Sequence, residues 1–128
     1  MAFDDSTMLR WLGPQTEMYV CHVHADIGAT GAPTINSTRT PAGFNITRTN
    51  TGIYALAFPK CKFISVIGDV RPNDITDVTD GRKVNVAKDI DATSGSVVFH
   101  TSSTDDTEDD AEDPTSGSEI VFHVQIGF

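Results

Sequence analysis

At 128 residues the chain is sized for one domain, which buries roughly two-thirds of its extended-chain surface on folding. It is 38% hydrophobic and 21% charged, and its net charge of −9 is concentrated in Asp105, Asp106, Glu108, Asp109, Asp110, Glu112 and Asp113; without these seven the chain has 9 basic and 11 acidic residues, a balance of −2. No basic stripe is available for phosphates, which argues against nucleic-acid binding, and the apolar runs Ile53 to Phe58 and Phe63 to Ile67 are far too short for a membrane-spanning helix.

The first residues, Met1-Ala2-Phe3-Asp4-Asp5, are acidic where a secretory leader would be basic, and no apolar core follows. The expectation is a protein made and folded in a cytosol. Residues 1–17 read as an N-terminal arm or helical turn. Asp5-Ser6-Thr7 would cap a turn carrying Met8, Leu9, Trp11 and Leu12, and Gly13-Pro14 would stop it. These large apolar residues either plug one end of a core or dock on a neighbour, with Trp11 as an anchor.

Residues 18–128 read as strands. Tyr19 to Ala25 alternates apolar and polar residues. Phe44 to Thr49 and Ile53 to Phe58 flank Asn50-Thr51-Gly52, a hairpin signal with a glycine free to adopt positive φ. Lys62 to Val70, Arg82 to Lys88, Ser96 to Ser102 and Glu119 to Ile126 complete the set. The fold class expected is all-β, a single antiparallel β-sandwich or jelly-roll-like domain. The last two strands are expected to form a hairpin, with Phe99 opposite Val124, Val97 opposite Ile126 and His100 opposite His123. Residues 103–118 are then a long acidic loop too polar to pack.

Little in the pattern points to catalysis. Cys21 and His22 are adjacent, so in a strand they face opposite sides and make no thiolate–imidazole pair. There is no nucleophile elbow, phosphate-cradling loop or dinucleotide fingerprint. The expectation is no enzyme and no cofactor. His22 and His24 share a strand face, and His100 and His123 are the other two histidines, so these four are the weak candidates for a metal site. Two separate pairs do not make a ligand set, and polar residues on an outer sheet face are the simpler reading. Asp74, Asp77 and Asp80 fall every third residue rather than in the alternate positions of a calcium loop, and no Glu closes twelve residues. Cys21 and Cys61 are expected to be free, buried thiols. The sequons at Asn36 and Asn45 are expected to be chance matches in Thr-rich strands.

The stretch Gly43-Phe44-Asn45-Ile46-Thr47-Arg48-Thr49-Asn50-Thr51-Gly52-Ile53-Tyr54-Ala55-Leu56-Ala57-Phe58-Pro59 follows a Gly/Ala/Pro-rich turn at 28–33. Together with the closing strand Glu119 to Phe128, it resembles small β-sandwich proteins of tailed-bacteriophage virions. The likeness extends over about residues 18 to 128. It is closest to capsid decoration, or cement, proteins, with similarity to tail-fibre tip domains. What the resemblance implies is a viral structural protein: a homotrimer on the capsid surface, binding the major capsid protein at subunit junctions and stabilising the phage head. Before assembly it would reside in the host cytoplasm. The alternative is a fibre or collar tip that binds a host receptor or glycan, using an exposed aromatic such as Tyr54 or Phe128. Neither role implies a membrane or nucleic-acid partner, and no catalytic residues are carried over. Met8, Leu9, Trp11 and Leu12 are the expected partner-binding residues.

Overall fold

The computed structural model describes residues 9–12, 17–71, 73, 83–86, 90–102 and 111–128. They form nine strands: β1 (Leu9–Leu12), β2 (Glu17–Ile27), β3 (Pro33–Ile35), β4 (Asn45–Asn50), β5 (Ile53–Ala57), β6 (Phe63–Arg71), β7 (Lys83–Val86), β8 (Ser96–Ser102) and β9 (Glu119–Gly127). Among the described residues a 3₁₀ turn, Ala29–Gly31, lies between β2 and β3. One sheet runs β1-β2-β9-β6, with β3 also on β2; the other runs β4-β5-β8-β7. All the pairings are antiparallel. The domain is an all-β sandwich.

Period-two patterning builds the core. Tyr19, Cys21, Val23, Ala25 and Ile27 on β2 point inward with Ile120, Phe122, Val124 and Ile126 on β9. The facing sheet contributes Ile46, Tyr54, Leu56, Val97 and Phe99. Aromatic contacts join the layers. Phe99 stacks on Tyr54 within its own sheet at 5.3 Å and meets Phe122 of the other sheet edge-on at 4.7 Å.

Three expectations are corrected. Leu9–Leu12 is not a helical turn but an edge strand, paired Leu9↔Val20 through Leu12↔Glu17. Four residues gain more by joining an existing ladder than by paying for helix nucleation alone. Met8 lies outside the described residues. The second correction concerns the last two strands, which do not form a hairpin. β8 pairs with β5 and β7, whereas β9 pairs with β2 and β6. Phe99 therefore faces Tyr54 in its ladder, and His100 lies opposite Ile53 and Asn85. A long connection leaves pairing free, unlike a two-residue turn, and here the chain crosses from one sheet to the other.

The far half of that connection is also packed, against the expectation of an unpacked loop. Ser102 bridges Ala111, and Glu112 N donates to Thr101 O at 2.8 Å. Pro114 and Ser118 are buried. Gly117 and Ser118 exchange backbone hydrogen bonds with Ile27, at 2.7 and 2.9 Å. Thus residues 111–118 seal one end of the sandwich. Glu112 and Asp113 belong to this seal; the other five acids of the run lie outside the described residues.

Candidate functional site

The outward face of the first sheet holds the main concentration of chemistry-bearing side chains. Register lays the residues out in rungs across β2, β9 and β6: Val20–Gln125–Ser65, His22–His123–Ile67, His24–Val121–Asp69 and Asp26–Glu119–Arg71. Side chains on one rung are neighbours, because directly opposed antiparallel residues share a face.

The two ends of this face differ. At one end the loop after β3 covers the sheet. His24 is only 5% exposed, and its backbone N–H donates to Thr40 Oγ1 at 2.9 Å. Its ring Nδ1 lies 3.1 Å from Glu119 Oε1, while Arg39 donates to Glu119 Oε2 at 2.9 Å. A single carboxylate thus links a buried imidazole to a guanidinium. The other end is open. Val20 is 42% and Ile67 67% exposed, and a shallow depression of about 250 Å³ is lined by Val20, Ser65, Ile67, His123, Val124 and Gln125.

Between these ends His22 and His123 approach each other, with ring centroids 4.5 Å apart and planes at 81°. His24 lies 6.1 Å from His22 on the same strand. Desolvation, then the positive potential of His123, His24, Arg71 and Arg39, lowers the pKa of His22. The pairing expected from sequence was His100 with His123; the structure replaces it with His22 and His123, and His100 is on the other sheet. Among the described residues, no three His, Cys, Asp or Glu side chains are arranged to hold a metal ion. The Asp74–Asp80 segment lies outside the described residues.

A second polar cluster escaped the sequence reading altogether. Asp113 sits against the β4–β5 hairpin and accepts from Arg48 Nε and Nη2, the latter at 2.8 Å, and from Gly52 N at 2.7 Å. The Tyr54 hydroxyl lies 3.1 Å from Asp113 Oδ1 and 2.9 Å from Gly31 O. Arg48 and Tyr54 are cross-strand partners, so one rung presents both donors. Gly52 has φ +65°, and a Cβ there would collide with the backbone of Ala111 and Glu112. Arg48, Gly52 and Tyr54 all belong to the Thr-Arg-Thr-Asn-Thr-Gly-Ile-Tyr stretch noted in the sequence. They form a receptor for Asp113, which the sequence hides within an acidic run. The hydrogen bonds from Arg48, Gly52 and Tyr54 hold the Asp113 carboxyl below the usual carboxylate range despite opposing desolvation. Tyr54 itself is raised, chiefly by burial.

Tyr54 is fully buried and Phe128 packs edge-on against Tyr19 at 5.7 Å, so neither is the exposed aromatic expected at a receptor-binding tip. Both cysteines are free, Cys21 buried and Cys61 partly so. Burial pushes the Cys21 thiol up to about 12, which removes it as a nucleophile near neutral pH. Leu9, Trp11 and Leu12 lie on an edge strand. Comparisons of the chain with protein-family models, with curated proteins and with solved structures each return no match.

Proposed function

We propose that this chain is a non-enzymatic structural protein of a tailed-phage particle, a decoration protein that attaches to the capsid surface as a trimer. The observation that carries the reading is the open half of the outer face, where Val20 and Ile67 stand exposed on a stiff sheet. Apolar side chains held at fixed spacing suit a partner surface, because docking them costs little ordering entropy. The resemblance noted in the sequence supplies the class of partner, the major capsid protein. The edge strand β1 offers a second route of attachment, since an edge can extend a neighbour's sheet. Three copies bound at a subunit junction gain from multivalency beyond any single contact.

The test is the disruption temperature of expanded empty capsids with and without the purified chain. A rise that saturates, and is lost in Ile67→Asp while the chain keeps its own melting temperature, is the expected result. Capsids unaffected by saturating chain would refute it. Binding to host cells instead, abolished by Ile67→Asp, would move the assignment to a fibre-tip domain that uses the depression beside Ile67.

A further inference from the structure

We infer that His22 and His123 form an open two-imidazole chelate for a borderline transition ion, Zn²⁺ or Cu²⁺, on the outer face of the first sheet. The inference is independent of the particle role. It starts from register: the two histidines are directly opposed on β2 and β9 and share a face. Their ring centroids are 4.5 Å apart, and both residues are exposed to solvent.

At this rung β2 and β9 are ladder neighbours and β6 flanks β9 through Ile67, so the backbone fixes the spacing of the pair. The edge-on ring arrangement is not itself a ligand geometry. The last torsion of histidine is broad, however, and rotation about it can turn one nitrogen of each ring toward a shared point. Each metal–nitrogen bond is about 2.0–2.1 Å, which a pair of neighbouring imidazoles can span. Among the described residues no hydrogen bond engages either ring, so no existing bond must break. His24 differs. It is buried and its Nδ1 is committed to Glu119, so it stays outside the ligand set.

The donor chemistry selects the ion. Imidazoles favour zinc, copper and nickel, whereas calcium and magnesium require oxygen donors. Two protein ligands leave the remaining positions to water, an open site rather than a closed structural cage. Imidazole coordinates through a neutral ring nitrogen. Asp69 and Glu119, one and two rungs away on the same face, offset part of the positive charge of Arg71 and Arg39.

The experiment uses the full chain without an affinity tag, titrated with Zn²⁺ and with Cu²⁺ alone by calorimetry. Histidine ring resonances are followed in parallel. One ion per chain is expected. Binding should weaken at least about tenfold in both His22→Ala and His123→Ala, with no change in His100→Ala. In the unaltered chain, Cu²⁺ should broaden the His22 and His123 resonances first, a readout that does not depend on how the variants fold. Absence of saturable binding, or affinity retained in either single variant, would overturn the inference.

Discussion

Asp113 shows how one side chain can organise three segments. Its carboxylate draws donors from Arg48 and Gly52 on the hairpin and lies within reach of the Tyr54 hydroxyl, which also touches Gly31. Replacing it with Ala takes the acceptor from the Gly52 N–H and the carboxylate from Arg48, while the Tyr54 hydroxyl keeps Gly31 O, at an expected cost of about 2 kcal/mol in urea unfolding. Tyr54→Phe should cost less, about 1 kcal/mol, because only the hydroxyl is lost. Gly52→Ala combines a left-handed backbone, worth about 1–2 kcal/mol, with a clash against the Ala111–Glu112 backbone. It should be the most damaging of the three. The depressed pKa of Asp113 also sets a pH dependence. The unfolded carboxyl binds protons first, so the stabilisation is complete above its usual range, near pH 4, and is lost as pH falls through the lower folded value. The same sign applies to His22, at higher pH. Its folded pKa lies below the ordinary 6.5, so stability falls as the solution is acidified through that value. Melting temperatures of His22→Gln and the unaltered chain at pH 8 and pH 5.5 test this: the variant should lose less on acidification.

Among the elements, β8 matters most to the joining of the two sheets. Phe99 meets Tyr54 in one layer and Phe122 in the other, so Phe99→Ala should cost about 3–5 kcal/mol in chemical denaturation. The connection after β8 is different in kind. Its base is closed by the Ser102–Ala111 bridge and the Thr101–Glu112 hydrogen bonds, including Thr101 Oγ1 to Glu112 O at 2.6 Å. Ser102 and Ala111, which flank residues 103–110, therefore already meet. Replacing residues 103–110 with a short Gly/Asn turn should leave the melting temperature within a few degrees and remove five acids. Closing a shorter connection costs less entropy, and the base keeps its bonds. A collapse of the fold would show that residues 103–110 are needed for it.

On the scale of the whole molecule, the outer faces carry the functional argument. One sheet is half covered, by the loop that buries His24, and half open, around Ile67 and the His22–His123 rung. The open half holds both the apolar contact surface and the imidazole pair. Bound Zn²⁺ would tie β2 to β9 and should raise the melting temperature with metal concentration, as any ligand selective for the folded state does. Docking on a capsid should in turn shield Ile67. Hydrogen–deuterium exchange across β6 and β9, measured on free and capsid-bound chain, should show protection confined to that face.

Period-two patterning made the strands readable. Tyr19 to Ala25, Ser96 to Ser102 and Glu119 to Ile126 each announce an inward and an outward set, and Thr51-Gly52 between β4 and β5 leaves the turn few alternatives. Class and local hairpin follow from such short-range rules. The assignment of β8 and β9 to opposite sheets does not, because sixteen residues separate them and a chain of that length can return to either layer. Nor does the role of Asp113, one carboxylate among seven in the run until the hairpin's donors close around it. The histidine partners were decided in the same way: alternation gave each residue its face, but only the pairing of β2 with β9 chose His22, rather than His100, as the neighbour of His123.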